Sequence, residues 1–288
     1  MILIADSGGT KTDWALVDTR RSKVTRLHSQ GISPVHQSED EMYRILRFDL
    51  VPYLSSDAEK VKDIYFYGSG CTPDKVNLMQ SVLQKAFPDA TVIEVHGDLL
   101  AAARALFQRS SGVACILGTG ANSCVYDGHD IVANTPPLGY ILGDEGSGAV
   151  LGRNFVNALF KGFLPEQMKQ DFLMHEQLTY PLIIQQVYRE GMANRFLASF
   201  VPYIAEHIDN AQISQLVTDN FRAFFERNLS QYGAAGKVGF VGGVASQFAP
   251  QLRAVAQSLG YEVSDIQQGP IEGLVSYHSY HYPDRHED

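Results

Sequence analysis

Cysteine is scarce in this chain of 288 residues, which contains only Cys71, Cys115 and Cys124. These residues form no CxxC pair and no even-numbered set, which argues against a zinc knuckle and against the disulfide framework of a secreted domain. We therefore expect three reduced thiols in or near the core, because a free cysteine is most often simply buried.

Long apolar runs and excess positive charge are also absent. No run of roughly eighteen apolar residues occurs, and Met1 leads into a strand-like segment instead of a leader peptide, so we expect a cytoplasmic protein. The chain has 23 Lys and Arg against 32 Asp and Glu, a formal net charge of −9. An acidic surface gains nothing from counterion release, so we expect neither nucleic acid nor a membrane as partner and favour a small-molecule ligand.

Short apolar runs alternate with amphipathic stretches along the chain. The strand-like runs cover residues 2–5, 14–17, 63–67, 91–95, 113–117, 123–126 and 238–241. The helix-like stretches cover residues 41–54, 75–87, 99–108, 149–160, 183–207, 213–231 and 247–259. This alternation predicts an α/β fold with mixed or mostly parallel sheets.

Two similar hairpins begin the two halves of the chain. Residues 1–18 show a strand, a glycine turn and a second strand, and residues 114–128 repeat the pattern around GTGAN. The periodicity breaks at RSSG, residues 109–112, which predicts two comparable α/β domains with a boundary there.

The first turn, in ADSGGTKTDW at residues 5–14, differs from the common phosphate loops. A Walker A loop needs a GK pair leading into a helix, whereas Lys11 follows Thr10 and leads into a strand. A GxGxxG fingerprint is also missing, since GSG at 68–70 and GTG at 118–120 lack the third glycine.

A glycine turn rich in donors can still hold phosphate. Its backbone N–H groups approach an anion closely, and Thr10, Lys11 and Thr12 add hydroxyls and an ammonium. Asp6, at the strand end, suits Mg²⁺, which prefers one or two carboxylates together with phosphate oxygens and water. A turn without a ligand is the other interpretation, but the matching turn at 118–122 favours a two-sided phosphate clamp. The late VGGVAS segment, with Gly242 and Gly243, is a third candidate nucleotide contact.

Three ordered motifs resemble the N-acetylglucosamine kinases and the related BadF/BadG/BcrA/BcrD-type ATPases of the actin-like, hexokinase and heat-shock ATPase superfamily. They are DSGGTKTD at 6–13, LGTGAN at 117–122 and GDEGS at 143–147. The resemblance implies two RNase H-like (actin-like ATPase) domains, residues 1–111 and 112–268, with ATP in the cleft between them. It also implies that a C-terminal helix within about 269–288 packs back on the first domain, and it suggests a homodimer.

The resemblance implies a kinase that phosphorylates the 6-hydroxyl of an amino sugar, N-acetylglucosamine first. Asp6 would organise Mg²⁺ and Asp98 would act as the catalytic base. The expected contacts with ATP are Ser7, Gly8, Gly9, Thr10, Lys11, Thr12, Gly118, Thr119, Gly120, Gly242 and Gly243. The expected contacts with the sugar are Ser33, Asp98, Ala121, Asn122, Gly139 and Asp144.

Some of these residues have simpler explanations or depart from the kinases. Asp98 could be a plain N-cap, and Asp144 or Ser147 could cap the following helix. Ser33, Ala121 and the segment 137–140 differ from the residues common in the kinases, so the identity of the sugar stays open.

Two other functions stay open. One is an activator ATPase of a CoA dehydratase or reductase system, which would need cysteines that bridge a 4Fe–4S cluster between subunits. The other is an ATP- and sugar-binding regulatory module without turnover. The histidine-rich tail, YHSYHYPDRHED, lacks metal-ligand spacing and is expected to be a solvated helix and tail.

Overall fold

The computed structural model describes residues 1–233 and 237–279, which form two compact units. Of the described residues, unit 1 contains Met1–Ser110, Gly128–Asp130 and residues 269–279, and unit 2 contains those within Ser111–Asp127 and Ile131–Gln268. Each unit has a five-stranded mixed sheet flanked by helices, which confirms the predicted α/β class.

The sheet of unit 1 begins with the N-terminal hairpin. Its strands are β1 Ile2–Ser7, β2 Lys11–Asp18, β3 Lys23–Gln30, β4 Asp63–Gly68 and β5 Val92–Gly97, in the order β3-β2-β1-β4-β5. The β1–β2 and β2–β3 pairs are antiparallel, while β1–β4 and β4–β5 are parallel. Both faces of β1 are buried, as expected for a central strand covered by helices on either side.

The sheet of unit 2 repeats this topology. Its strands are β6 Gly112–Leu117, β7 Ala121–Tyr126, β8 Ile131–Asn134, β9 Val238–Val241 and β10 Val263–Gln267, in the order β10-β9-β6-β7-β8. The hairpin strands are antiparallel and the later strands are parallel. The similarity of the two hairpins in sequence thus extends to whole sheets.

Helices cover both sheets. In chain order they are α1 Glu39–Arg44, α2 Val51–Leu54, α3 Val76–Ala86, α4 Asp98–Phe107, α5 Gly139–Leu142, α6 Gly148–Phe160, α7 Glu166–His175, α8 Tyr180–Tyr188, α9 Ala193–Ala198, α10 Val201–Glu206, α11 Ala211–Phe224, α12 Gly243–Gln247, α13 Ala249–Ser258 and α14 Ile271–Ser279. In unit 1 one core includes Trp14 and Phe66, and another joins Ile4 and Tyr65 to Ala101 of α4 and Leu274 of α14. A core in unit 2 packs α6, α11 and α13 beside β6 and β9.

Several predicted helices are broken. The stretch 183–207 is divided among most of α8, all of α9 and all of α10, because Met192 is left-handed with φ 68° and proline is the second residue of α10. The stretch 213–231 leaves α-helical geometry after Phe224 for the π-helical Phe225–Leu229, and 41–54 contains a similar segment at Ile45–Leu50. Residues 247–259 divide at Phe248, before the proline of α13.

The cysteines and the C-terminal histidines lie in different surroundings. All three cysteines are free and buried, as predicted. His278 is buried in α14, and its Nε2 forms a hydrogen bond of 2.8 Å with the Tyr67 hydroxyl. The expectation of a solvated tail is therefore wrong for this residue. His281 and His286 lie outside the described residues. No helix in the described part of the chain is long and apolar enough to cross a membrane.

Candidate functional site

The turn between β1 and β2 is fastened from inside by two hydroxyls. Ser7 Oγ and Thr12 Oγ1 share a hydrogen bond of 2.7 Å, and Thr12 Oγ1 also donates to the Gln30 carbonyl at 3.1 Å. Both side chains are buried, whereas Gly8, Gly9 and Thr10 are exposed at the tip of the turn. The hydroxyls of Ser7 and Thr12 therefore support the turn, and its exposed glycines present the backbone.

Gly31 lies directly beneath this turn. Its N–H donates to the Thr10 carbonyl at 3.0 Å. A Cβ at position 31 would lie 2.5 Å from Gly8 O and 2.8 Å from the Gly9 carbonyl carbon, closer than real contacts allow. The obstructing atoms belong to the backbone, so only glycine lets the turn rest here.

We expect Gly31→Ala to lower the free energy of unfolding by about 1–3 kcal/mol, the usual cost of an overpacked site. Chemical denaturation of the wild type and of Gly31→Ala would measure this loss of stability. Gly191→Ala is the matched control, because nothing lies within 4 Å of a Cβ there. Equal stability of Gly31→Ala and Gly191→Ala would contradict the steric explanation.

The Lys11 ammonium is engaged along its own strand. Lys11 Nζ lies 2.9 Å from Asp13 Oδ2, and His28 Nδ1 lies 2.6 Å from Asp13 Oδ1. The exposed Lys11 side chain can leave this pair at little cost, since surface ion pairs contribute at most about 1 kcal/mol.

Two carboxyl groups of unit 1 have raised pKa values, Asp6 near the end of β1 and Asp98 just after β5. Burial, followed by the charges of Asp98 and Asp13, raises the pKa of Asp6 to about 7. Burial also raises the pKa of Asp98. Helix α4 is capped by Gly97, and Asp98 is its first residue, with a carboxylate that accepts the N–H of Leu99. Asp98 is therefore not the N-cap, and its carboxyl group has the raised pKa that suits a general base.

The turn between β6 and β7 is held from behind by helix α6. The N–H groups of Gly148 and Ala149 donate to the carbonyls of Gly118 and Thr119, at 2.8 and 3.1 Å. In a trans peptide the C=O and the following N–H point in opposite directions. The N–H groups of Thr119 and Gly120 therefore point away from α6, where they can donate to an anion.

Asp144 meets this turn from the other side. Its carboxylate accepts the N–H of Ala121, and its Oδ2 lies 3.3 Å from where a Cβ on Gly120 would stand. Burial raises the pKa of Asp144, whose backbone is left-handed with φ 51°. Asn122 follows at the start of β7, where its Oδ1 accepts from Ser123 N–H and from Asn134 Nδ2, each at 2.9 Å. The structure thus brings Gly120, Ala121, Asn122 and Asp144 together.

The loop that carries Asp144 is fixed by residues that the sequence analysis missed. The Gly146 N–H donates to Asn220 Oδ1 at 3.2 Å, and Arg227 and Asn228 hold the Glu145 carboxylate at 3.3 and 3.4 Å. Ser147, not Asp144, caps α6 through the Val150 N–H. Asn220, Arg227 and Asn228 come from α11 and the segment after it, and no local motif marks them.

Other predicted site residues have distinct surroundings. Ser33 is buried in unit 1 and its N–H donates to Gln37 Oε1 at 2.8 Å. Gly139 is exposed in unit 2, with φ 72°, at the start of α5. Gly242, with φ 129°, lies against β6, because a Cβ at this position would be 2.3 Å from the Leu117 carbonyl oxygen. A Cβ on Gly243 would have no atom within 4 Å.

A cavity of about 640 Å³ in unit 2 lies on the far side of the Asp144 loop. Gly143 and Glu145 line it, together with residues of α6 and α11, but Asp144 does not. The Asp144 carboxylate turns instead to Gly120, so this cavity is separate from the site at the hairpin turn.

Comparison with known proteins identifies relatives over the whole fold. A candidate N-acetylglucosamine kinase from Porphyromonas gingivalis is 44% identical, with 98% of this chain and 99% of that chain covered and a TM-score of 0.94. The ROK family glucokinase from Streptomyces griseus, solved with glucose and AMPPNP, shares the fold at 15% identity, with 96% and 97% covered and a TM-score of 0.57.

A curated relative is more distant. The N-acetylmuramic acid/N-acetylglucosamine kinase of Clostridium acetobutylicum is 27% identical over 210 residues, which is 67% of this chain, and this chain spans only 66% of that protein's length. No protein-family model matches the chain.

The paired mixed sheets and their neighbours define a sugar kinase of the actin-like ATPase fold. The similarity to the Porphyromonas gingivalis protein, 44% identical along nearly the full length of both chains, shows the family. The chain belongs to the N-acetylglucosamine kinase family.

Proposed function

We propose that this protein transfers the γ-phosphoryl group of ATP to the 6-hydroxyl of N-acetylglucosamine. The observation that carries the proposal is the meeting of two features at Gly120. The outward N–H groups of the second hairpin turn can donate to an anion, and the Asp144 carboxylate, which can accept from a sugar hydroxyl, adjoins the same turn. A sugar kinase needs these two kinds of group near each other.

The proposed roles divide between the units. In unit 1, Asp98 is the base that orients and deprotonates the acceptor hydroxyl, and the exposed turn of Gly8, Gly9 and Thr10 contacts phosphate with help from Lys11. Ser7 and Thr12 keep this turn in place, and Ser33 adjoins the sugar. In unit 2, the ATP contacts are Gly118, Thr119, Gly120, Gly242 and Gly243, and the sugar contacts are Ala121, Asn122, Gly139 and Asp144.

Asp6 fits a magnesium ion by the chemistry of its surroundings. Its carboxylate is partly buried beside the negative charges of Asp98 and Asp13, an arrangement that a divalent cation would stabilise. Bound Mg²⁺ would neutralise charge on the phosphates, with Asp6 as its protein ligand.

We also propose that the chain is one of the BadF/BadG/BcrA/BcrD-type ATPases. We propose further that it acts in the cytoplasm and forms a homodimer.

A panel of sugars tests this function. We expect Mg·ATP to give sugar-dependent ADP with N-acetylglucosamine, and we would include N-acetylmuramic acid, since the Clostridium acetobutylicum relative is named for both. Product analysis by NMR should place the phosphate on O6. The proposal would be rejected if no sugar in the panel gave more turnover with the wild-type protein than with Asp98→Asn.

The activator-ATPase alternative is disfavoured, because all three cysteines are buried and Cys115 and Cys124 lie within β6 and β7.

A further inference from the structure

The side-chain amide of Asn122 is held in one orientation by the next residue. Its Oδ1 accepts the Ser123 backbone N–H at 2.9 Å. A backbone N–H can only donate, so the end of the amide that faces it must be the oxygen. The amide nitrogen of Asn122 therefore points away from Ser123.

Asn134, at the end of β8, fixes the same orientation from the neighbouring strand. Its Nδ2 donates to the Ser123 carbonyl at 2.7 Å and to Asn122 Oδ1 at 2.9 Å. A carbonyl can only accept, so the end of Asn134 that faces Ser123 must be its NH₂ group. Both hydrogens of that group are then used, and Asn122 Oδ1 has two donors for its two lone pairs.

The end of β8 is itself anchored. The Thr135 N–H donates to Tyr232 Oη at 2.8 Å, the Tyr232 hydroxyl donates to the Ser123 carbonyl at 2.9 Å, and Thr135 Oγ1 donates to the Asn228 carbonyl at 2.9 Å. Asn134 is exposed, so its side chain is not there to fill the core. Its directed bonds serve orientation instead.

We propose that Asn134 is a positioning residue that locks Asn122 as a hydrogen-bond donor to the sugar. The proposal rests on the proposed function, which assigns Asn122 to sugar binding. Locked in this way, Asn122 recognises an oxygen lone pair of the substrate, on a hydroxyl or on the acetamido carbonyl. The nearby Asp144 carboxylate accepts from a hydroxyl, so together the two residues discriminate between ligand donors and acceptors.

We expect Asn134→Ala to raise the KM for N-acetylglucosamine by about fivefold to tenfold, as for one lost hydrogen bond, without changing kcat or the KM for ATP. In an Asn122→Ala background the same change should alter the sugar KM by less than about twofold, because the residue that Asn134 orients is gone. Equal effects in both backgrounds would overturn the proposal. Val132→Ala, at an exposed position two residues earlier on β8, is the control and should leave the sugar KM unchanged.

Asn122→Asp tests the donor role itself. Aspartate keeps an oxygen toward Ser123 and Asn134 but offers the ligand only an acceptor, so its sugar KM should exceed that of Asn122→Ala. A sugar KM for Asn122→Asp close to that of the wild type would overturn the donor assignment.

A measurement without substrate separates this proposal from the proposed function. In ¹⁵N NMR spectra of the full chain, we expect the Asn134 side-chain NH₂ protons to exchange slowly and to shift in Asn122→Ala. Fast exchange and no shift would overturn the proposal. If the wild-type enzyme phosphorylated no sugar, the proposed function would fail, and the NMR result would still decide the orientation of Asn122.

Discussion

Asp98→Asn is expected to lower kcat for the sugar by about 10²- to 10⁴-fold, the usual contribution of a general base. Asparagine has the same shape, and its Oδ1 can still accept the Leu99 N–H that Asp98 accepts at the start of α4. The KM for ATP should therefore change little, and the thermal midpoint at neutral pH should not fall, because burial raises the pKa of the carboxyl group that is replaced. Steady-state kinetics with both substrates varied would measure the effect.

The pH dependence gives this prediction a second part. The base acts when it is deprotonated, and burial raises the pKa of Asp98. We therefore expect kcat/KM to fall on the acidic side at a higher pH than the ordinary aspartate pKa of about 3.9 would give. Asp89→Asn, at an exposed aspartate of the same unit, should keep wild-type activity and pH profile. An Asp98→Asn enzyme within a few-fold of wild-type activity would exclude Asp98 as the base.

Asp6→Asn is expected to stabilise the metal-free protein at pH 8 while it abolishes magnesium-dependent turnover. The pKa of Asp6 is raised to about 7 in the folded chain, so the folded state holds this proton more tightly than the unfolded state. The contribution of Asp6 to the stability of the fold is fully present below its unfolded pKa of 3.8, and it is lost as the pH rises through its folded pKa of about 7. The pKa of Asp6 rises from 3.8 to about 7, and at about 1.4 kcal/mol per unit of pKa the gain on substitution should be on the order of 4 kcal/mol.

Urea denaturation in EDTA at pH 5 and pH 8 would measure this gain. The difference in stability between Asp6→Asn and wild type should be larger at pH 8, where the aspartate is charged. Added Mg²⁺ should stabilise the wild type at pH 8 and leave Asp6→Asn unchanged, with Asp89→Asn as the control that behaves like wild type. A loss of stability in Asp6→Asn at pH 8 would show that the carboxylate, with its proton or its charge, is structurally needed.

The fold class and the hairpins could be predicted from the sequence because their signals are local. Glycines at 8–9 and 118–120 lie between apolar runs, and such runs show their period within a few residues. Strands β3, β8 and β10 were missed, since their residues are largely exposed or half-buried and lack a clean alternation. Their place at the edges of the sheets depends on pairing with strands that the sequence does not mark.

The supports of the site could not be predicted for a related reason. Asn134 and Tyr232 act on Ser123 from 11 and 109 residues away, so nothing near GTGAN announces them. Gly31 matters because it has no Cβ and the turn of Gly8 and Gly9 lies against it, a contact that no motif indicates. Such contacts depend on the folded chain and leave no spacing to detect.

The second hairpin turn also bears on how this site can diverge. Under the proposed function, its anion-binding donors are the backbone N–H groups of Thr119 and Gly120, which are oriented by the bonds that Gly148 and Ala149 make to the carbonyls of Gly118 and Thr119. A side-chain scan of the turn would therefore underestimate its importance, because replacing the exposed Thr119 side chain leaves those donors in place. The missing Cβ of Gly242 leaves room for the Leu117 carbonyl just before the turn. Selection is therefore expected to act more strongly on Gly242 than on the side chain of Thr119. Sequence variability at Thr119 would then be compatible with an unchanged phosphate site.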